Sequence, residues 1–150
     1  IEEFKRSHPG KFSNEKIMAT DISSSALEIA RNGQYDQLAL GRGMPKDLLE
    51  RYFKRLDTGW KVDPNIAKRV QYKMLNLLHS YTLLGRYDII FCRNVLIYFS
   101  SELKKDILTR IHGQLKPGGY LLLGASEALS DLGNLYEMVQ CSPGIIYRKK

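Results

Sequence analysis

Polar residues stand at the ends of three short segments whose patterns predict strands. Asp21 closes the first segment, Asn76 follows the second, and the pair Arg93 and Asn94 follows the third. In open α/β sheets, ligands bind outside the carboxyl ends of the strands, so strand ends are where binding chemistry is expected. The coincidence of these residues at three strand ends predicts one binding site more strongly than any single residue does.

These residue types suit a nucleotide-like ligand. A carboxylate at Asp21 can accept hydrogen bonds from both hydroxyls of a ribose, although it could instead cap the helix that follows. Asn76 offers a donor and an acceptor to an adenine edge, and Leu77 could pack on the face of that ring. In isolation, a turn residue is the favoured explanation of Asn76.

Three more residues lie close to predicted strand ends. Tyr98 comes a few residues after Asn94 and could share the same rim, with an amphipathic core aromatic as the alternative. Ser126 and Glu127 follow a later strand and could line a substrate mouth, but helix capping explains them equally well. The histidines His8, His79 and His112 have no spacing suited to a metal ion, so no metal site is predicted.

Apolar strand patterns and amphipathic helix patterns alternate along the chain. The predicted strands are 16–22, 70–75, 87–92, 120–123, 136–139 and 144–148. The predicted helices are 23–32, 45–53 and 101–115. This alternation predicts an α/β domain with a largely parallel sheet, and the turn at Ser142-Pro143-Gly144 predicts an antiparallel hairpin at one edge. The nearly continuous apolar run 87–92 predicts a strand buried on both faces.

The segment from Gly41 to Lys73 differs from the rest of the chain. It holds nine Lys or Arg residues and four Asp or Glu residues, and so carries most of the net charge of +7. Asp57-Thr58-Gly59 sits in the middle of the stretch 53–62, which predicts a hairpin. We therefore expect a small basic β-subdomain attached to the main fold.

Length and composition exclude several classes of protein. A chain of 150 residues with 43% hydrophobic and 26% charged residues is typical of one soluble globular domain. No apolar run is long enough for a membrane span, and the basic residues form no dense block of the kind that predicts nucleic-acid binding. Two cysteines, Cys92 and Cys141, are too few for a disulfide scaffold, which favours a reducing cytoplasm.

Taken together, five motifs resemble one known family. They are Ala19-Thr20-Asp21-Ile22-Ser23, Asn76-Leu77-Leu78, Phe91-Cys92-Arg93-Asn94-Val95-Leu96-Ile97-Tyr98-Phe99, Leu115-Lys116-Pro117-Gly118-Gly119-Tyr120-Leu121 and Gly124-Ala125-Ser126-Glu127. The sequence resembles the CheR-type chemoreceptor methyltransferases from about Lys16 to its end. The string from Arg93 to Phe99 is the most specific of the five, whereas Pro-Gly-Gly before a strand is common to many adenosylmethionine-dependent enzymes.

The resemblance implies a fold, a cofactor and a reaction. The fold would be a Rossmann-like class I methyltransferase domain, and the reaction would move a methyl group from S-adenosylmethionine to glutamate side chains of chemoreceptors, leaving S-adenosylhomocysteine. The residues implied to hold the cofactor are Asp21 at the ribose, Asn76 and Leu77 at the adenine, and Arg93 and Asn94 along the pocket. Tyr98, with Arg93, is implied to lie near the transferred methyl group.

The resemblance also implies how the substrate docks. The family's small β-subdomain would correspond to residues 48–70, inserted in the catalytic domain that spans residues 1–150. The cations expected to contact the cytoplasmic domains of chemoreceptors are Lys54, Arg55, Lys61, Lys68 and Arg69. No contact with nucleic acid and no membrane insertion is expected.

The sequence departs from the family pattern in two ways. The glycine-rich loop that follows the family's first strand is absent, and so is that strand, which would stand between the strands 16–21 and 87–92. We therefore expect the chain to be the C-terminal part of a catalytic domain and to be inactive alone. Two unpaired strand edges with apolar residues beside them, such as Ile17, Met18, Ile89 and Ile90, favour a homodimer over direct pairing of the two strands.

Two other function classes stay open on the sequence alone. Without the glycine-rich loop, the chain could be a non-catalytic module that docks on a receptor or signalling partner through its basic segment. A nicotinamide-dependent dehydrogenase would also place an acid at the end of its second strand. Nothing else in the sequence resembles a hydride-transfer site, so this second alternative is the weaker.

Overall fold

The computed structural model describes residues 1–11, 15–41, 43–129, 132–142 and 144–150. The chain divides into two compact units, Ile1–Asn76 and Leu77–Lys150. Within the described ranges, no helix is long and apolar enough to cross a membrane.

The first unit holds a two-stranded parallel sheet and a small antiparallel sheet. Its helices are α1 (Glu2–Ser7), α2 (Ser24–Asn32), α3 (Gln37–Gly41), α4 (Lys46–Tyr52) and α5 (Pro64–Ala67). Its strands are β1 (Ile17–Asp21), β2 (Gln34–Tyr35), β3 (Phe53–Leu56), β4 (Gly59–Val62) and β5 (Val70–Met74). β1 pairs with β5 in parallel, and β2, β4 and β3 form the antiparallel sheet in that order.

Local signals define α2, the helix that follows β1. The Ser23 side chain accepts a hydrogen bond from the backbone N–H of Ala26, which caps the first turn. Gly33 ends the helix with φ of 63°, a left-handed conformation that glycine adopts without strain. Leu27 is the buried residue of this helix. The predicted helix is therefore confirmed, and its cap is Ser23 rather than Asp21.

The predicted basic hairpin is confirmed and gains a third strand. β3 and β4 pair antiparallel with Asp57 and Thr58 between them. Gly59 has φ of 151°, and a Cβ there would lie 2.3 Å from the carbonyl oxygen of Tyr35, so only glycine fits. β2 pairs with β4 and was not predicted, because two residues are too few to show a strand pattern.

The second unit is a four-stranded mixed sheet with one long helix. Its strands are β6 (Tyr87–Cys92), β7 (Leu115–Leu123), β8 (Tyr136–Cys141) and β9 (Gly144–Lys149), and its helix is α6 (Ser101–Gln114). Two 3-10 helices, Thr82–Leu84 and Leu96–Tyr98, complete the unit. The strand order is β6-β7-β9-β8, with β6 and β7 parallel and β8 and β9 antiparallel. The predicted edge hairpin is confirmed, while Pro143 of its turn lies outside the described residues.

One stripe of α6 forms the core of this unit. Ile107, Leu108 and Ile111 are buried, as the helical periodicity predicts. Leu115, at the start of β7, and Leu121 within it are fully buried beside them. β7 begins at Leu115 rather than at the predicted residue 120, because an irregular stretch still pairs Leu115 with Tyr87 before the regular register begins.

The prediction that β6 is buried on both faces is wrong. Ile89 is 50% exposed and Phe91 68% exposed, whereas Cys92 is buried. Side chains alternate between the two faces of a strand, so Ile89 and Phe91 share the face that stays open. β6 is also the outermost strand of its sheet, with β7 as its hydrogen-bonded neighbour. The apolar run therefore predicted the strand correctly, but it did not predict that one face of the strand is exposed.

Candidate functional site

Asp21 ends β1 as an exposed carboxylate with unused acceptor capacity. Its Oδ1 accepts a hydrogen bond from the backbone N–H of Ser23 at 2.8 Å. The alternative in which Asp21 caps α2 is wrong, since the Ser23 hydroxyl caps that helix. In the part of the chain that the structure describes, no hydrogen bond engages the second carboxylate oxygen of Asp21, which could accept hydrogen bonds from a ligand at the carboxyl end of the strand.

Asn76 lies at the same end of the parallel sheet as Asp21. Asp21 is paired with Met74 in the β1–β5 register, and the backbone N–H of Leu75 donates to the carbonyl oxygen of Asp21 at 2.9 Å. Asn76 follows immediately and is half-buried. The first unit thus brings two of the sequence-predicted cofactor residues to the carboxyl ends of neighbouring strands.

The segment that begins at Leu77 belongs to the second unit and is held against α6. The hydroxyl of buried Tyr81 donates to the carbonyl oxygen of Leu77. Arg110 of α6 places its guanidinium 5.1 Å from the centre of the Tyr81 ring and donates to the carbonyl oxygen of His79 at 2.7 Å. Burial raises the pKa of Tyr81 to about 12, so it stays a hydrogen-bond donor.

The loop after β6 carries the residues implied to lie closest to the reaction. Arg93 is exposed, and Asn94 has φ of 58°, an uncommon left-handed backbone for a residue other than glycine. The 3-10 helix that follows anchors the loop through Leu96, which is 2% exposed. Tyr98 ends that helix and is 81% exposed, so the alternative of a core aromatic is wrong.

Glu127 organises this loop, a role that the sequence analysis missed. Its Oε2 accepts hydrogen bonds from the backbone N–H groups of Asn94 at 2.8 Å and Gly124 at 2.7 Å. Its Oε1 accepts from Val95 at 2.9 Å and Leu96 at 2.7 Å. One carboxylate therefore joins the segments that follow the parallel strands β6 and β7. The only sequence signal was an acid four residues after a strand end.

The surroundings of Glu127 favour its charged form, and they leave no space for a side chain at position 124. Burial acts to raise the pKa of Glu127, but its backbone hydrogen bonds together lower that pKa below the ordinary value. A Cβ at Gly124 would lie 2.5 Å from Oδ1 of Asn94 and 2.6 Å from Oε2 of Glu127. Glycine is thus required at position 124 for the carboxylate to reach the loop.

The predicted docking cations lie on different faces of the small sheet. Lys54 and Lys61 are directly opposed across β3 and β4, and both are exposed. Arg55, opposite Trp60 on the other face, places its guanidinium 5.8 Å from that ring. Lys68 is exposed beyond α5 and donates to the Oδ1 of Asn65 at 2.9 Å.

Arg69 has an intramolecular role that separates it from the other four cations. Its Nη1 forms ion pairs with the carboxylates of Glu2 and Glu15, the latter at 3.1 Å. Lys5 of α1 also pairs with Glu15. Arg69 therefore joins α1 to the start of β5, and it is not a free surface cation.

Other candidate chemistry is not supported by the described residues. No group of three His, Cys, Asp or Glu side chains in them could hold a metal ion. Cys92 is buried, and burial raises its pKa to about 11, so it is a protonated thiol rather than a nucleophile. Ser126 is exposed.

Comparison with known proteins agrees with the motifs. The family described as CheR methyltransferase, SAM binding domain, matches residues 4–145. The chain is 57% identical to Chemotaxis protein methyltransferase 1 of Pseudomonas aeruginosa, covering all of this chain and 56% of that protein. It is 55% identical to Chemotaxis protein methyltransferase Cher2 of Pseudomonas putida, with 100% and 55% covered. The chain thus spans about half the length of these relatives.

A more distant comparison concerns the fold alone. The crystal structure of the N-methyltransferase NodS from Bradyrhizobium japonicum matches with a TM-score of 0.52 at 14% sequence identity. The match covers 89% of this chain and 73% of that one. The mixed α/β sheets are therefore those of a methyltransferase-like fold. With a family match over nearly its whole length, the chain belongs to the CheR methyltransferase family, in its SAM-binding domain.

Proposed function

We propose that the protein containing this chain transfers a methyl group from S-adenosylmethionine to glutamate side chains of chemoreceptors, in the adaptation of bacterial chemotaxis. The observation that carries the proposal is Asp21, an exposed carboxylate at the carboxyl end of a parallel strand, with one oxygen that no hydrogen bond engages among the described residues. It stands in a chain 57% identical to a chemotaxis protein methyltransferase. This relationship favours an enzyme over a non-catalytic docking module.

The strand-end residues fit the chemistry of the methyl donor. Asp21 would accept hydrogen bonds from the ribose hydroxyls, and Asn76 and Leu77 would hold the adenine. Arg93 and Asn94 would line the pocket toward the methionine part. When bound, the donor supplies an electrophilic methyl group on its sulfonium. The fit of an uncharged diol to a carboxylate with spare acceptors supports this assignment.

The reaction requires little acid–base catalysis from the protein. A glutamate side chain has a pKa of about 4.3 in water, so the substrate carboxylate is already ionised and nucleophilic at neutral pH. No general base is needed, and rate enhancement comes from orientation and exclusion of water. Exposed Arg93 and Tyr98 are suited to orienting that carboxylate, Arg93 by charge and Tyr98 by its hydroxyl. These two are our proposed catalytic residues.

The small basic sheet would dock the receptor. Lys54 and Lys61 are opposed like charges, an arrangement that destabilises an antiparallel pair unless an anionic partner neutralises it. Lys54 and Lys61 would meet acidic receptor groups on one face of the sheet, Arg55 on the other face and Lys68 beyond α5. We leave Arg69 out of this docking surface, because two carboxylates of its own unit already engage it. Residues 48–70 then serve association more than chemistry.

The domain would be completed by a strand from outside this sequence. β1 has β5 as its partner on one side, and β6 has β7 on one side. Direct pairing of these two strands, the alternative considered from the sequence, stays a prediction. The outer edges of β1 and β6, which pair with no strand among the described residues, support a missing neighbour, which in the isolated chain would be a second copy. The chain alone would then be inactive, and the whole protein would work in the cytoplasm.

Calorimetry on the full-length protein tests the function directly. Titration with S-adenosylhomocysteine should give saturable binding, and incubation with receptor cytoplasmic domains and labelled methyl donor should give base-labile methyl esters. Binding without methyl transfer would support the docking module instead. Light scattering of the isolated chain over a dilution series tests assembly. A monomer near 17.2 kDa at every concentration would contradict the homodimer.

A further inference from the structure

We propose that Glu127 is the positioning residue of the methyl-transfer site, because its carboxylate holds the backbone that carries Arg93 and Tyr98. The purpose of this clamp rests on the function proposed above, whereas its geometry does not. The clamp is defined as the Glu127 carboxylate with the four backbone N–H groups of Gly124, Asn94, Val95 and Leu96.

Three consecutive N–H groups of the β6 loop converge on one anion. Asn94, Val95 and Leu96 all donate to Glu127, and the left-handed backbone of Asn94, with φ of 58°, turns its N–H toward the same point as the next two. Successive N–H groups in such a conformation form an anion-binding concavity. Without the carboxylate, these donors would lose their acceptors and the strained backbone would lose its support.

The clamp fixes the backbone positions of both proposed catalytic residues. Arg93 directly precedes the first clamped N–H, and Tyr98 ends the 3-10 helix whose first residue, Leu96, supplies the last one. The side chain of Leu96 is also buried, so this residue is held both by its backbone N–H and by its packing. Arg93 and Tyr98 are themselves exposed, and their backbone is what can orient them. Orientation errors of about 1 Å can cost on the order of a hundredfold in rate.

Glu127 positions and does not itself react. Each of its oxygens already accepts two hydrogen bonds, which leaves little acceptor capacity for a substrate proton. The substrate carboxylate also has no proton to give at neutral pH. Gly124 leaves room for the carboxylate where any Cβ would fall 2.6 Å from Oε2. The site is thus shaped around Glu127 from both strands.

The test uses the full-length protein with Glu127→Gln and a matched control. An amide keeps the size of the side chain but turns one acceptor into a donor. Whichever oxygen is replaced, two backbone N–H groups then face N–H instead of an acceptor. Glu137→Gln is the control, because Glu137 lies in the same unit and pairs with the side chain of Arg148 at the surface, at 2.5 Å.

Two readouts are expected to change together in Glu127→Gln only. Amide hydrogen exchange at Asn94, Val95 and Leu96 should accelerate by about tenfold or more as these bonds are lost. At saturating methyl donor, kcat should fall by roughly tenfold or more, with the KM for receptor within a few-fold. Unchanged kcat with accelerated exchange would overturn the positioning role, as would unchanged exchange. Equal losses in Glu137→Gln would also overturn it.

A measurement on the wild-type protein covers the case in which Glu127→Gln does not fold. The amide proton resonances of Asn94, Val95, Leu96 and Gly124 should move with one common midpoint as the pH is lowered from neutrality, because one carboxylate serves all four. Cys92, the other ionisable group coupled to Glu127, has a pKa near 11 and does not titrate there. Independent midpoints would overturn the clamp. Wild-type protein that binds no S-adenosylhomocysteine would instead overturn the proposed function, with the amide titration unaffected.

Discussion

Asp21, the last residue of β1, and Glu127, four residues after β7, are both acids at the carboxyl end of a parallel strand, yet their surroundings are opposite. Asp21 is exposed and accepts one backbone N–H through Oδ1. Glu127 is half-buried and accepts four. An acid at a strand end is therefore not by itself a ligand-binding residue. Its unused acceptors decide whether it serves a ligand or its own backbone.

The difference predicts different costs for removing each acid. Hydrogen bonds to charged groups contribute about 1.5–3 kcal/mol, and half-buried donors left without an acceptor add a desolvation penalty. Changes around Glu127 should therefore affect folding and catalysis together. Changes at Asp21 should affect ligand affinity while leaving the free energy of unfolding nearly unchanged.

The largest effect is expected from filling the space at Gly124. Gly124→Ala would place a methyl group 2.6 Å from Oε2 of Glu127 and 3.0 Å from the backbone nitrogen of Asn94, so the loop or the carboxylate must move. We expect unfolding free energy to fall by about 1–3 kcal/mol and activity to fall with it. Gly113→Ala in α6 is the matched control: its Cβ meets nothing within 4 Å, and alanine should stabilise the helix by about 0.5–1 kcal/mol. Equal changes in the free energy of unfolding for the two variants, measured with urea, would contradict the close packing at position 124.

The second largest effect is expected from Asp21→Asn, which tests the carboxylate oxygen that Ser23 does not engage. Asp21→Asn keeps an acceptor for Ser23 but replaces the charged oxygen, and the Kd for S-adenosylhomocysteine should rise by about tenfold or more. Asp63→Asn is the control, because Asp63 makes the same contact to the N–H two residues on, at 2.7 Å, and only caps α5. Calorimetry and thermal melting on both variants measure affinity and stability. Unchanged affinity in Asp21→Asn would remove Asp21 from the site.

A smaller effect is expected from pH. The pKa of Glu127 is lowered in the folded protein, so its stabilisation is complete above the ordinary value of 4.5 and is lost as the pH falls through the lowered pKa. The stability difference between wild type and Glu127→Gln should therefore shrink below that pH. Urea midpoints of both proteins across the acid range measure it. Other acids with lowered pKa, such as Glu3 and Glu15, are common to both proteins and cancel. A difference independent of pH would contradict a charged clamp.

The smallest effect concerns the basic sheet, where function and stability should diverge. Lys54→Glu turns the opposed pair with Lys61 into one of opposite charges, which should stabilise the protein by about 0.2–1 kcal/mol. The same change should raise the apparent KM for receptor several-fold at low salt, with kcat nearly unchanged. Lys105→Glu reverses an exposed charge on α6, in the other unit of the chain, and is the control. A fall in kcat at saturating receptor would place Lys54 in the active site.

Sequence patterns predicted most elements of the fold because their signals are local. The run that ends at Asp21, the serine cap and Gly33 around α2, and the Asp57-Thr58-Gly59 turn each involve neighbours along the chain. The stripe of α6 is likewise a periodicity within one helix. The strand-end positions of Asn76 and Arg93 followed from these elements.

What the tertiary structure decided depends on residues far apart in sequence. Glu127 reaches Asn94 across 33 positions and Arg69 reaches Glu2 across 67, and no local pattern specifies either pairing. The open face at Phe91 likewise reflects what covers a strand rather than its own composition. The sequence by itself therefore determined the elements and the residues at their ends. Only the folded chain decided which acid accepts a single backbone N–H among the described residues and which accepts four, because hydrogen-bond saturation is a property of the assembled surroundings.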